Sequence, residues 1–111
     1  MIIHRNDWGK FITETIITDD AFGMISVDYY KDEPKTAFIH DFGVIPFARK
    51  SGIGTALLKK ALEQARMAQC EFAELNYNNV STPIWVFNWY ERNGFEEIEF
   101  GNKNHLMRKK L

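Results

Sequence analysis

The chain has 111 residues, 45% hydrophobic and 14% aromatic, which is enough for one domain spanning residues 1–111 and too apolar for a disordered segment. With 14 basic residues against 15 acidic ones the formal charge is −1, so no global field draws it to nucleic acid or an anionic membrane. The lone Cys70 excludes an internal disulfide, residues 1–7 lack a signal-peptide pattern, and no apolar run nears the ~20 residues of a membrane span; a cytoplasmic setting is expected.

The first half has the composition of strands. Residues 10–18 are rich in Ile, Thr and Phe and end at the turn signal Asp19-Asp20. Residues 21–30 are again β-branched and aromatic, and Lys31-Asp32-Glu33-Pro34-Lys35 closes them. Residues 36–45 form a third strand, stopped by Pro46, which has no N–H for a ladder. Connections this short predict an antiparallel meander. Residues 1–5 are a further candidate strand, with only residues 6–9 before the next.

The period then changes. Leu57, Leu58, Ala61, Leu62, Ala65 and Ala68 recur at helical spacing, which predicts a helix over 54–69. Residues 71–77 return to strand. Ser81 or Thr82 is placed to cap a second helix with Pro83 in its first turn, and Asn93-Gly94 stops it. Residues 95–100 and 105–111 complete the chain as two strands. The first helix lies between two strands that a crossover would make parallel neighbours. The predicted fold is a mixed, mostly antiparallel sheet with two main helices packed on it, in the α/β (α+β) class.

The segment with the most chemical content runs from Val44-Ile45-Pro46 through Arg49-Lys50-Ser51-Gly52-Ile53-Gly54-Thr55. A strand ends, a glycine-containing loop follows, and a long helix begins. The first N–H groups of a helix lack internal partners, and with the helix dipole they make an anion site suited to phosphate. Glycines at 52 and 54 let a ligand approach the main chain and permit positive φ. The same pattern would also serve a plain strand-to-helix turn. A dinucleotide fingerprint requires glycine where Leu57 stands, and a Walker loop requires Lys after Gly54, where Thr55 stands.

These residues resemble the GNAT superfamily of N-acetyltransferases. That family has a strand ending in Val-x-Pro, then [Q/R]-x-x-G-x-[G/A], then a helix. A tyrosine four residues before Gly-Phe is its second signature, and Tyr90 before Gly94-Phe95 matches it. The terminal 106–111 segment is similar to the family's last strand, so the likeness covers about residues 10–111. It implies a GNAT-like fold, acetyl-CoA as cosubstrate with no metal, and acyl transfer to an amine. On the same resemblance, amides of Phe42, Gly43 and Val44 pair with the pantetheine arm. Arg49, Lys50, Ser51, Gly52, Ile53, Gly54 and Thr55 cradle the pyrophosphate, and Tyr90 protonates the leaving thiolate. His40, where some polyamine-acetylating relatives carry a glutamate, is the candidate base; Asp41 and Glu74 are the alternatives. Strand alternation sends His40 and Asp41 to opposite faces unless a bulge intervenes.

The chain departs from the family in two places. The two helices that relatives carry between their first two strands have no counterpart, and Pro83 replaces the usual asparagine seven residues before the tyrosine. Helix 83–92 also carries more apolar surface than one packed face uses, so either Trp8 with the N-terminal segment or a second subunit covers Trp85 and Trp89; a homodimer is expected. An acetyl-CoA-binding module without turnover is the alternative function. The triplet Arg108-Lys109-Lys110 is a solvated edge on this reading, the alternative being a contact with nucleic acid or a protein.

Overall fold

A computed structural model describes all residues, Met1–Leu111. Seven strands form one sheet: β1 (Ile2–Asp7), β2 (Phe11–Ile17), β3 (Gly23–Tyr30), β4 (Thr36–Val44), β5 (Phe72–Asn78), β6 (Glu96–Phe100) and β7 (Asn104–Lys110). Two helices accompany them, α1 (Ile53–Met67) and α2 (Ile84–Arg92), with a 3-10 turn at Pro46–Ala48. The spatial order is β1-β2-β3-β4-β5-β7-β6, and every neighbour is antiparallel except β4 with β5. This is the mixed sheet that the change of period predicts, with α1 as the link between the parallel pair.

Side chains close the turns of the meander. The Asp7 carboxylate accepts the N–H of Gly9 at 2.8 Å, and Gly9 takes φ 91°. So short a turn joins β1 directly to β2, with no helix between them. The Thr18 hydroxyl accepts the N–H groups of Phe22 and Gly23, each at 3.1 Å, which fixes the β2–β3 corner. Period-two alternation then sorts β2 to β4 by face. Ile16, Ile25, Val27, Ala37 and Ile39 pack in one cluster with Leu57, Leu58, Ala61 and Leu62 of α1, all of them buried. Each buried Val, Leu or Ile side chain there contributes about 1.5–3 kcal/mol. Ala73, Leu75, Tyr77, Met107 and Phe95 continue that core under α2, whose Phe87 sits edge-on to Tyr77.

The other face of the sheet carries no helix. Its residues include Thr13, Asp28, Phe38, His40, Phe72, Glu74 and Arg108.

Three expectations fail in detail. Neither Ser81 nor Thr82 caps α2; Pro83 is the N-cap residue, with no side-chain bond. Asn78 instead ties that loop, its Oδ1 accepting the N–H groups of Val80 and Ser81 at 2.9 and 3.0 Å. β7 is not an edge, because it pairs with β5 on one side and β6 on the other. Arg108 is spent on Glu74, at 2.7 Å, and Lys109 on the carbonyl of Asn93, at 2.9 Å, so the basic triplet is no free patch. Trp8 does not cover α2; its indole N–H donates to the Thr13 hydroxyl on the bare face, 3.1 Å away.

One irregularity shapes the centre. β4 and β5 pair only from Thr36↔Phe72 to Ile39↔Leu75, and beyond that they separate. On its other side β4 has a bulge against β3, between the pairs Ser26↔His40 and Met24↔Gly43, where Asp41 takes φ 49°. The bulge adds twist and turns the end of β4 away from β5. A wedge opens between the two strands.

Candidate active site

The loop before α1 is the first wall of the wedge. Gly52, at φ 85°, is the N-cap residue, and no side chain caps the helix. The first bond into α1 is Ala56 N–H to the Gly52 carbonyl, at 3.0 Å. The N–H groups of Lys50, Ser51, Gly52, Ile53, Gly54 and Thr55 therefore have no partner in the protein. Left-handed φ at both Lys50 (68°) and Gly52 curls this backbone into a concave strip at the positive end of a 15-residue helix. A lysine held at positive φ costs of order 1–3 kcal/mol, a cost usually tolerated only where geometry matters. A Cβ built on Gly52 or Gly43 would meet nothing within 4 Å, so both stretches of main chain are open to an incoming group. The Arg49 side chain turns back, its Nε donating to the Val44 carbonyl at 3.0 Å.

The exposed end of β4 is the second wall. The Gly23 carbonyl accepts from Thr18, so Gly23 faces β2, and its register partner Val44 must face away from β3. The next residue, Ile45, donates to Phe22 at 2.8 Å on the β3 side. The N–H and C=O of Val44 thus point into the wedge. Gly54 lies beside this strand, since its Cβ position is 3.9 Å from Phe42 and Val44 side-chain atoms.

Helix α2 closes the third side. Trp89 stands with its ring centroid 6.0 Å from Phe42, and Tyr90 lies beside Trp89 and edge-on to Phe95. Burial pushes the Tyr90 phenol up to about 12, so it stays protonated at neutral pH. Its hydroxyl forms no hydrogen bond within the protein.

His40 and Asp41 meet because of the bulge. The His40 Nδ1 and Asp41 Oδ2 are 3.1 Å apart, so alternation does not separate them as a regular strand would. On its buried side His40 Nε2 lies 3.0 Å from Asp28 Oδ1, an ion-pair distance without hydrogen-bond alignment. The Thr13 hydroxyl donates to that same Asp28 oxygen at 2.7 Å. Asp28 and Thr13 are absent from the sequence reading. Only the register, which sets Asp28 against Phe38 and Ser26 against His40, brings them to the imidazole. Glu74 is held by Arg108, whose guanidinium also covers the Phe72 ring at 4.4 Å, so it is poorly placed to act as a base. His105 has its own partners, Glu97 and Asn79. Burial raises the thiol pKa of Cys70, which keeps it an inert core group.

An amide strip at a helix start, an open strand edge beside it and a tyrosine on the opposite helix thus surround one wedge in the sheet. The sequence model of the Acetyltransferase (GNAT) family matches residues 3–95, and the chain belongs to that family. Solved structures show the same fold. A GNAT family acetyltransferase from Elizabethkingia anophelis, with acetyl-CoA bound, is 15% identical at a TM-score of 0.74, over 99% of this chain and 97% of that one. A Klebsiella pneumoniae protein named as an acyl-CoA N-acyltransferase is 19% identical at 0.73, over 96% and 76%. A GNAT family acetyltransferase from Staphylococcus aureus is 19% identical at 0.73, over 92% and 68%. No curated protein sequence matches the chain. Neither helix is long and apolar enough to cross a membrane.

Proposed function

We propose that this chain is a single acyltransferase domain that moves an acetyl group from acetyl-CoA to an amine by direct attack in a ternary complex. The observation that carries this reading is the run of unpartnered N–H groups from Lys50 to Thr55 beside the open edge of β4. The amide strip would hold the pyrophosphate. Phe42 and Val44 would pair with the pantetheine arm as an added strand, and Arg49 would leave the Val44 carbonyl to make room for it. Gly43, expected to pair as well, is the register partner of Met24 and turns its main-chain groups to β3. No residue here is assigned to a metal.

The acceptor arrives as an ammonium and loses a proton to the His40–Asp41 pair. Its nitrogen then forms a bond to the thioester carbonyl carbon, the C–S bond breaks, and the electron pair leaves on sulfur. Tyr90 gives its phenolic proton to that sulfur, and the second proton of the acylated nitrogen leaves through water and restores the phenol. A phenol raised to about 12 is a reluctant acid, so its contribution requires close placement against the thiolate. Positioning supplies much of the remaining rate.

With Trp8 on the far face, Ile84 and Trp85 of α2 stay 66% and 60% exposed, and a second copy of the chain would cover them. Light scattering that finds only monomer at micromolar concentration would remove the dimer. A cytoplasmic setting accords with the buried free thiol.

The test of function is thermal-shift titration with acetyl-CoA, followed by thiol release over amines and peptides. Stabilisation with thiol release is expected, and Tyr90→Phe should lower kcat about 10²–10⁴-fold while sparing acetyl-CoA affinity. Stabilisation without release from any acceptor would instead make the chain a CoA-binding module.

A further inference from the structure

A shallow groove of about 570 Å³ runs along the end of β2, β3 and β4, next to the strand edge just described. Ile17, Phe22 and Met24 contribute its apolar side chains, the stretch from Phe42 to Val44 borders it, and Asp41 is the one ionisable residue in its lining. The volume falls in the ~300–1,000 Å³ range of small-molecule sites.

Asp41 is presented to this groove by the bulge. Its positive φ lifts it out of strand alternation, and its side chain is 70% exposed. One carboxylate oxygen, Oδ2, is engaged by His40, while Oδ1 has no partner in the protein. Asp28 stands behind the imidazole and outside the groove, so Asp41 alone faces the groove while a second carboxylate backs its histidine partner. The other end carries no lysine, arginine or acid. The field at one end favours a single cation, and the apolar remainder disfavours a second.

The geometry points to an acceptor of defined class: a small primary amine with an apolar body, its ammonium on Asp41 and its hydrocarbon along Ile17 and Met24. This rests on the acyl-transfer reading for turnover, though not for binding. The ammonium is thereby held at the residue pair that takes its proton, and beside the strand edge that would hold the thioester. A polyamine or a basic peptide would have to set further charges against Ile17 and Met24.

The experiment uses the full chain and the primary n-alkylamines from propylamine to octylamine, with spermidine and a lysine-rich peptide as rivals. Thiol release from acetyl-CoA should rise with chain length by about four-fold in kcat/KM per methylene, the equivalent of ~0.8 kcal/mol per buried CH₂. Asp41→Asn should raise the KM for hexylamine at least about ten-fold, the loss of a charge-assisted bond, without raising the KM for acetyl-CoA. A second measurement needs no turnover: the methyl NMR signals of Met24 and Ile17 should shift on adding hexylamine, and Asp41→Asn should abolish the shift.

A flat chain-length series, better turnover of spermidine or the peptide, or silent methyl signals would each overturn the assignment. Methyl shifts without thiol release would uphold the groove and sink the catalytic reading. Thiol release without methyl shifts would do the reverse.

Discussion

The two faces of the sheet are made by the same strands and differ residue by residue. On the helix-covered face Ile16, Ile25, Val27 and Ala37 are sealed at 0% exposure. On the bare face the alternate positions of those strands hold Thr13, Asp28 and His40 in a chain of polar contacts, and further along Glu74 and Arg108 form an ion pair. The bare face is therefore not an apolar core lacking its cover, because its buried polar atoms are largely matched to one another. Stability is concentrated on one side of the sheet and the proposed proton acceptor on the other.

Alkaline pH should give the largest difference between the faces. Burial raises the pKa of Tyr29 on the covered face, and likewise of Tyr90 on α2. A folded-state value above the unfolded ~10 gives stability that is complete below pH 10 and is lost as pH climbs toward the folded value. Circular dichroism should show unfolding above pH 10, and Tyr29→Phe should move the midpoint upward; an unchanged midpoint would mean that another group drives the transition.

Next in size is Leu57→Ala, which removes a fully buried side chain of α1 and should cost about 2–5 kcal/mol in urea unfolding. A loss below ~1 kcal/mol would show that the covered face is not the tighter of the two. Gly23→Val should cost about 1–3 kcal/mol by overpacking, since a Cβ there lies 2.8 Å from Ile53 and 2.9 Å from Leu57. Because Ile53 opens α1, the same change should weaken acetyl-CoA binding by calorimetry. The smallest effect belongs to the bare face. Glu74→Gln breaks a partly exposed ion pair and should cost no more than about 1 kcal/mol. A larger loss would mean that this face too is part of the core.

Residues whose partners are near in sequence were legible without coordinates. The helical spacing of Leu57, Leu58, Ala61 and Leu62 and the short meander turns give the element order and the parallel pair. The glycines around Ile53 point to the amide strip, although α1 begins one residue earlier than the spacing suggests. What stayed hidden depends on register. A bulge is one residue of slip, and nothing in His40-Asp41-Phe42 marks which residue slips, yet it decides whether His40 and Asp41 meet. The order of the last two strands was equally closed to sequence, because either could pair with β5 by composition. The β5–α2 loop misled for a local reason: Asn78 ties the N–H groups of Val80 and Ser81, and the helix starts later, with Pro83 as its N-cap residue.

The brevity of the β4–β5 ladder has a mechanical consequence. Only the stretch from Thr36 to Ile39 joins the half built on α1 to the half built on α2 within the sheet. A molecule lying along the open strand edge and touching α2 would act as a stitch across that seam, adding rungs where the protein supplies none. Amide hydrogens of Phe38, Ile39 and Leu75 should then exchange more slowly with acetyl-CoA present than without it.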